Sequence, residues 1–366
     1  MKNNITHLQL FFITANFIIG SSLLLAPLIT GSVAHEDAWL SMILAVVTGL
    51  LFNVLMLFLM KKLNYQSLFD IIDQAYGKWL GTLVNLVLLV FTFHLCALVV
   101  GNTDDFMVVV KPDTAPYFYQ FIMIALAMYG AASGLKSLGK TNEAMSLLFY
   151  TIIFLSIILL IPKVEFQNFK PYLYHGWKPV IQGGYNSLGV PFLELILMTA
   201  IFTFVKEKNK IRRYYLMSIL FGGSILTAFV VAAIGVEGAF MVQRETYPTY
   251  SLMRDIHATV VFERIEIVMG VIWIFVLFVK ITTLFTIILL GLQHIGRSNG
   301  YNAYLLPLGI AIWTLTNLTH ENIVENAAFT SQNWTLYSFT IYLLVILSLL
   351  IGLVKQKKGG QQQNSG

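Results

Sequence analysis

The chain has 366 residues, of which 57% are hydrophobic and only 11% are charged, and its formal net charge is +5. Soluble domains carry about 25% charged residues, so this composition excludes a soluble enzyme, a disordered chain and a nucleic-acid-binding protein. The apolar content is too large for one water-soluble core and predicts an integral membrane protein, whose backbone groups pair within helices or a closed barrel. The lone cysteine, Cys96, excludes an intrachain disulfide and a cysteine-based metal site.

Apolar runs long enough to cross a bilayer occur ten times along the chain. A membrane-spanning helix needs about 20 apolar residues, and continuous rather than alternating runs exclude a β-barrel. The runs are Leu8–Ile29, Ala38–Met60, Trp79–Val100, Tyr117–Leu135, Ala144–Ile161, Tyr185–Val205, Tyr214–Val236, Ile265–Leu290, Tyr301–Leu318 and Trp334–Val354. The sequence therefore predicts an all-α integral membrane protein with ten transmembrane helices.

The distribution of Lys and Arg between the loops predicts the orientation of the chain. Cytoplasmic loops of membrane proteins are rich in these residues. With the N-terminus inside, most of the 23 basic residues fall in inner segments, and the even number of helices places both termini in the cytoplasm. The densest group extends from Lys206 to Arg213, and we interpret it as a topology signal. The amphipathic stretch Tyr65–Tyr76 is expected to lie on the cytoplasmic membrane surface.

Ten helices divide into two halves of five, and an odd number per half inverts one half relative to the other. We expect a first repeat over residues 1–162, an outer loop at 163–184, a second repeat over 185–354 and a cytoplasmic tail at 355–366. Transporters built from inverted repeats bind their ligands at interrupted helices in matching positions of the two halves. The first and sixth helices are therefore the places to look for a binding site.

Each of these two helices contains a candidate interruption. The first helix carries Gly20, Ser21 and Ser22, and the sixth carries Gly189-Val190-Pro191. Pro191 lacks an N–H and clashes with the preceding turn, whereas serine side chains only compete for backbone groups. The alternative interpretation is close helix packing by small residues. Because the two interruptions match, we predict discontinuous first and sixth helices that form a binding site.

Two ionisable residues lie deep within predicted helices. Glu194 follows Pro191 by about one turn, and Lys280 lies in the eighth helix with Thr283 on the same face. A charge near the bilayer centre costs roughly 2.5–3.5 kcal/mol, so each is expected to face a cavity or a partner. An ion pair between them would lower the cost of both. Such a pair is either a structural lock between helices or part of a ligand site, and the sequence leaves both open.

Motifs for enzyme chemistry are absent from the sequence. There is no phosphate-binding glycine loop, and His320-Glu321 lacks the second histidine of a metalloprotease motif. The seven histidines are scattered, without metal-ligand spacing. We therefore predict a protein that is not an enzyme and that has no catalytic residue, metal site or cofactor.

Taken together, these residues resemble a known family, the B subunits of the nutrient germinant receptors of spore-forming bacteria. That family belongs to the amino acid–polyamine–organocation transporter superfamily. The resemblance covers essentially the whole chain and rests on Gly20–Pro27, Val190–Glu194, Tyr247–Arg254, Phe262–Glu266 and Val279–Lys280. The third and fourth stretches are specific to the family, and the first two are shared loosely across the superfamily.

The resemblance implies a five-plus-five inverted repeat and a small germinant, often an amino acid, bound between the first, third, sixth and eighth helices. It implies assembly with A and C subunits in the spore inner membrane, in contact with lipid and without nucleic acid. The implied ligand-binding residues are Gly20, Ser21, Ser22, Val190, Pro191, Glu194, Lys280 and Thr283. We hypothesise that Lys280 supplies a fixed positive charge in place of a coupled ion. The alternative function is an amino-acid permease coupled to protons or ions through Glu194 or Lys280.

Overall fold

The computed structural model describes residues 4–111, 115–254, 265–297, 300, 302–319, 329–330 and 333–363. Regular structure in these residues is helical, apart from one isolated bridge between Ile5 and Val205. The α-helices are α1 (His7–Ser22), α2 (Ala26–Ala34), α3 (Ala38–Lys62), α4 (Leu68–Tyr76), α5 (Lys78–Val110), α6 (Pro116–Ser133), α7 (Leu135–Leu160), α8 (Trp177–Ser187), α9 (Ile211–Glu237), α10 (Ala239–Val242), α11 (Pro248–Arg254), α12 (Ile265–Gly296), α13 (Asn302–Thr319) and α14 (Trp334–Gln363). α8 continues as a π-helical segment, Leu188–Leu193, and a 3₁₀-helical segment, Glu194–Phe204. The predicted all-α class is confirmed.

Seven stretches of the described chain are long and apolar enough to span a membrane. They are Ala26–Lys62, Lys78–Val110, Leu135–Lys163, Trp177–Phe204, Lys208–Glu237, Ile265–Gly296 and Trp334–Lys357, and Tyr117–Ser133 is a shorter apolar helix. Large apolar side chains such as Leu51 and Phe121 are exposed on the outside of the bundle, where they suit lipid rather than water. The protein is thus an integral membrane protein, as predicted, and its division into ten spans stays a prediction.

α1 is buried along most of its length between α7, α9 and α12. Its start is closed by a capping box, in which Thr6 and Gln9 satisfy each other's backbone N–H groups. Ile5 donates its N–H to the carbonyl of Phe204, and Lys206 donates to the carbonyl of Ile5. These bonds hold the start of α1 beside the end of the segment that carries Glu194.

The interruption of the first helix lies later than the sequence predicted. Gly20, Ser21 and Ser22 are helical, and the chain leaves the α-helix at residues 23–25 before α2 begins. Pro27 explains this position, because it has no N–H to donate to the carbonyl of Leu23. The placement of the break at Gly20–Ser22 was therefore wrong by about one turn.

Gly20 has a packing role instead. A Cβ on this residue would lie 3.1 Å from the carbonyl oxygen of Val276 and 3.3 Å from Cβ of Lys280. The missing side chain therefore lets α1 approach α12 closely, which is the small-residue packing that the sequence left as the alternative.

The sixth predicted helix departs from helical geometry at Val190, whose φ and ψ are −120° and 111°. Pro191 follows through a cis peptide bond. Both residues are buried. The chain then resumes as the 3₁₀-helical segment, whose first residue is Glu194. The non-helical residue Val190 therefore lies four residues before Glu194, whose carboxylate is buried.

α4 matches the amphipathic stretch predicted before the third apolar run. Its apolar face is covered by α5 and α14 rather than by lipid, which corrects the expectation of a surface helix. His294 of α12 holds its polar side: Nε2 lies 2.9 Å from Oδ2 of Asp73, and Nδ1 lies 3.4 Å from Oδ1 of Asp70. Asn85 of α5 donates to the other oxygen of Asp73. α4 is thus fixed to two long helices by side-chain hydrogen bonds.

We expect His294→Ala to loosen α4 and to destabilise the protein by about 1 kcal/mol, because hydrogen bonds to charged groups are worth more than neutral ones but these carboxylates are partly exposed. Thermal denaturation of the detergent-solubilised protein and limited proteolysis around α4 measure the effect. His175→Ala, at an exposed histidine, is the control. Equal effects of the two substitutions would contradict the assigned role of His294.

Candidate functional site

A buried ion pair lies where the first, sixth and eighth predicted helices meet. Nζ of Lys280 lies 2.6 Å from Oε2 of Glu194, and the side chains are 0% and 1% exposed. Nζ also donates to Oγ of Ser21 at 2.6 Å. The pair that the sequence left open is therefore formed, and Ser21 joins it from α1.

Further groups complete the surroundings of the two charges. Trp334, the first residue of α14, donates its indole N–H to Oε1 of Glu194 at 2.9 Å. The ring of Phe17 lies 4.6 Å from Nζ of Lys280, within the range of a cation–π contact. Burying two charges is tolerable only when their remaining hydrogen-bonding capacity is also met. Here both carboxylate oxygens and the ammonium group have partners, so both buried charges are compensated within the protein.

Aromatic rings hold the indole of Trp334 in place. Phe91 of α5 stacks on it at 5.4 Å between ring centroids, and His94 meets it edge-on at 5.9 Å. These ring contacts orient the buried indole so that its N–H points toward Glu194. The third predicted helix, which carries Phe91 and His94, therefore contributes to the site indirectly by positioning Trp334.

Side chains from other helices satisfy the backbone near the interruption at Val190. The amide of Asn53 in α3 donates to the carbonyl of Phe192, and the hydroxyl of Tyr215 in α9 donates to the carbonyl of Leu195. Tyr215 and Asn53 also bond each other at 2.9 Å. Non-helical backbone at membrane depth requires such replacement partners. The interruption is therefore built into the packing of the bundle.

The backbone at the interruption of the first helix also has a side-chain hydrogen-bond partner. The carbonyl of Leu23, which Pro27 cannot bond, accepts a 2.8 Å hydrogen bond from the hydroxyl of Thr249 in α11. Thr249 is fully buried. The stretch Tyr247–Arg254, which the resemblance singled out, thus packs against the first interruption. Residues 255–264, including the start of the stretch Phe262–Glu266, lie outside the described residues.

Four buried polar atoms near the helix interruptions or on α12 have no hydrogen-bond partner within the described part of the chain. They are Oγ of Ser22 at the end of α1, Oγ of Ser187 at the end of α8, and Nε1 of Trp273 and Oγ1 of Thr282 on α12. Buried polar groups in proteins are normally paired, so each of these needs an explanation. A small polar ligand is one such partner.

The predicted site residues separate into four groups. Ser21, Glu194 and Lys280 form one network, and Val190 and Pro191 form the interruption that precedes it. Gly20 makes room for Lys280, and Ser22 ends α1. Thr283 stays outside the network, since its hydroxyl donates to the carbonyl of Val279 in its own helix.

Sequence reasoning missed Trp334, Phe17, Ser187 and Trp273. The position of Trp334 at the start of an apolar run is typical of the aromatic belt at a membrane interface, and that interpretation hides its role. A sequence does not show which buried hydroxyl or indole groups lack a hydrogen-bond partner. Within the described residues, no cluster of three or more His, Cys, Asp or Glu side chains can hold a metal ion.

Comparison with known proteins identifies the family. The chain matches the family described as "Spore germination protein" (Spore_permease) over residues 4–325, a range that contains Ser21, Glu194 and Lys280. The chain belongs to the spore germination protein family. The predicted resemblance to the germinant-receptor B subunits is thereby confirmed at the level of the family.

Relatives within the spore germination family match most of this chain. Spore germination protein YndE of Bacillus subtilis (strain 168) is 26% identical over 377 residues, covering 98% of this chain and 99% of the relative. Spore germination protein B2 of the same strain is 22% identical over 374 residues, covering 99% and 98%. Spore germination protein KB of that strain is 22% identical over 329 residues, covering 89% and 87%. These names and the family name describe germination and permease-like proteins, so the chain is not an enzyme.

Proposed function

We propose that this chain is the B subunit of a spore nutrient germinant receptor and that it binds a small germinant, an amino acid, in a transporter-like pocket. The observation that carries the proposal is the buried network of Ser21, Lys280, Glu194 and Trp334, placed between two interrupted helices. A pocket at this position is what an inverted-repeat transporter fold uses for its ligand. The family membership supports the role in germination.

The proposed architecture is a ten-helix, five-plus-five inverted repeat with discontinuous first and sixth helices. The first repeat covers residues 1–162 and the second covers 185–354, with an outer loop at 163–184 and a tail at 355–366. The excess of Lys and Arg in alternate loops supports placing both termini on the core side of the spore inner membrane. The departures from helix at residues 23–25 and at Val190 support the match between the two halves.

An amino acid fits the chemistry of the network because it carries the same two charges. Its carboxylate can replace Glu194 as the partner of Lys280, and its ammonium group can replace Lys280 as the partner of Glu194. Such an exchange adds no net charge to the dry interior, where an unpaired charge is expensive. The unpartnered hydroxyls of Ser22 and Ser187 are available for further hydrogen bonds.

The full proposed binding set has distinct roles for its members. Ser21, Ser22, Glu194 and Lys280 bind polar groups, Val190 and Pro191 expose backbone at the interruption, and Gly20 and Thr283 shape and support the floor. Lys280 acts as a fixed positive charge in place of a coupled ion. Ligand binding then shifts an equilibrium between two conformations, and the A and C subunits respond to the change.

A germinant panel applied to spores tests the function. We expect spores that lack this chain to lose their response to one amino acid while responding normally to a sugar, a nucleoside and a potassium salt. The methyl ester and the N-acetyl derivative of that amino acid each lack one charge, and we expect both to be at least tenfold less effective on wild-type spores. An unchanged response of the deletion strain to the whole panel would contradict the proposal.

Uptake into proteoliposomes distinguishes a receptor from the permease alternative. We expect the purified chain to bind the active amino acid without accumulating it against a gradient. Saturable accumulation of the labelled amino acid, driven by a proton or sodium gradient, would instead identify a working permease. Empty liposomes and liposomes with the Lys280→Met variant are the controls.

A further inference from the structure

Away from the ion-pair network, a pocket with a different chemistry lies at one end of the bundle. It is formed by the turn after α3 and by the start of α9, and it has a volume of about 320 Å³. Its lining residues are Lys61, Asn64, Tyr65, Lys208, Asn209 and Arg212. Three of these side chains are basic and none is acidic, so the pocket is suited to an anion.

The acid that precedes Lys208 in the chain, Glu207, does not line this pocket. Glu207, which precedes Lys208, lies 3.2 Å from Nδ1 of His7. The hydrogen bond from His7 lowers the pKa of Glu207 and engages its carboxylate with a residue that is not part of the pocket lining. Lys62, Lys210 and Arg213 are exposed around the pocket and add to its positive field.

The pocket is shaped as well as charged. Nζ of Lys208 donates to the carbonyl of Asn64 at 3.1 Å, which holds the start of α9 against the turn after α3. Asn64 and Tyr65 both have positive φ, of 53° and 50°, which a bulky side chain such as tyrosine adopts rarely. Tyr65 is buried beneath the pocket, and the charge of Arg212 opposes the rise that burial causes in the pKa of its hydroxyl. Strained backbone of this kind is concentrated at functional sites.

Two apolar stripes on the outside of the bundle end at Lys62 and Arg213, the neighbours in sequence of the lining residues Lys61 and Arg212. Leu51, Leu55 and Phe58 of α3 are exposed and follow one another at helical spacing toward Lys62, whose Nζ lies 4.1 Å from the ring of Phe58. Met217 and Leu220 of α9 are exposed in the same way, one and two turns after Arg213. A lipid whose anionic head group occupied the pocket would therefore place its acyl chains along these apolar surfaces.

We propose that this pocket binds the phosphate-bearing head group of an anionic phospholipid, whose acyl chains lie along the exposed faces of α3 and α9. Basic pockets between membrane helices bind anionic head groups in this way. A topology signal requires basic residues on one side of the membrane. It does not require them to converge on a shaped cavity with a buried tyrosine and a fixed lysine. A free phosphate shares the head-group chemistry but makes no use of the apolar stripes.

Lipid binding to the purified full chain in a neutral detergent tests the proposal. We expect phosphatidylglycerol to raise the melting temperature of the protein in a saturable way, and we expect neither phosphatidylcholine nor inorganic phosphate to do so. The double variant Lys208→Gln/Arg212→Gln is expected to bind phosphatidylglycerol roughly tenfold or more weakly. The matched control Lys136→Gln/Lys140→Gln removes the same charge at exposed positions of α7 and is expected to bind like wild type.

Three outcomes would overturn the proposal: equal losses in the two double variants, equal stabilisation by phosphatidylcholine, or equal stabilisation by inorganic phosphate. Photo-crosslinking of the wild-type protein with a phosphatidylglycerol analogue gives a second measurement that needs no variant. We expect cross-links in the peptides that contain residues 51–65 and 206–220. Cross-links spread evenly over the helices would equally overturn the proposal.

Discussion

Replacing Lys280 with Met is expected to destabilise the protein by about 3–5 kcal/mol and to abolish the germinant response. The substitution leaves the carboxylate of Glu194 buried without its counter-charge, and breaking a buried pair by removing one partner has a cost of this size. The Trp334 indole remains as a hydrogen-bond donor but carries no charge. Thermal denaturation of the purified chain, together with the germination of spores that carry the variant, measures the two effects.

The double variant Lys280→Met/Glu194→Gln separates stability from ligand binding. It removes both charges, and neutral replacements of a buried pair restore much of the lost stability. We therefore expect the double variant to be more stable than either single variant, while the germinant response stays absent because the two charges that bind the ligand are gone. Recovery of both stability and response would show that the pair is only a lock between helices, and it would remove this network from the binding site.

Gly189→Ala is expected to have the second largest effect, because Gly189 lies directly against α14. A Cβ at this position would lie 2.7 Å from Cα of Thr335, far inside the usual separation of two carbon atoms. Backbone cannot rotate away as a side chain can, so α14 must shift. Overpacking of this kind costs about 1–3 kcal/mol. Since Trp334 precedes Thr335, the shift also draws the indole away from Glu194.

The matched control for Gly189→Ala is Gly300→Ala, because no atom of the described residues lies within 4 Å of a Cβ placed on Gly300. We expect the control to leave the melting temperature and the germinant response unchanged. Fluorescence quenching of Trp334 in a variant that lacks the other tryptophans reports whether the indole has moved. A Gly189→Ala protein with wild-type stability and response would contradict the close contact between Gly189 and α14.

Proline and charge were the signals that could be interpreted correctly from the sequence. Pro191 predicted an interruption in the sixth helix, and the structure departs from helical geometry at the residue before it. Glu194 and Lys280 were singled out because a charge within an apolar run requires a partner. The break assigned to Gly20–Ser22 was wrong because the signal given most weight was the small residues. Pro27, seven residues later, has the clearer physical effect.

Other features of the site depend on contacts between residues that are distant in sequence, and local sequence patterns do not predict such contacts. Glu194 and Lys280 are separated by 86 residues, Glu194 and Trp334 by 140, and Leu23 and Thr249 by 226. Many polar residues in the chain are equally plausible partners until the helices are packed. Thr283 illustrates the reverse error, since it shares a helical face with Lys280 and yet bonds its own backbone.

The sequence by itself determined that the chain lies in a membrane and that it is helical. It also showed that the predicted helices must accommodate the deep charges of Glu194 and Lys280 and prolines such as Pro27 and Pro191. These are properties of single residues and of the runs around them, because the absence of an N–H or the presence of a charge in a bilayer has a cost in any fold. Only the tertiary structure decided which groups meet that cost. Ser21 and Trp334 bond the charges, and Thr249 bonds the carbonyl that Pro27 leaves free. Partners of this kind are set by the close packing of helices that are distant in sequence.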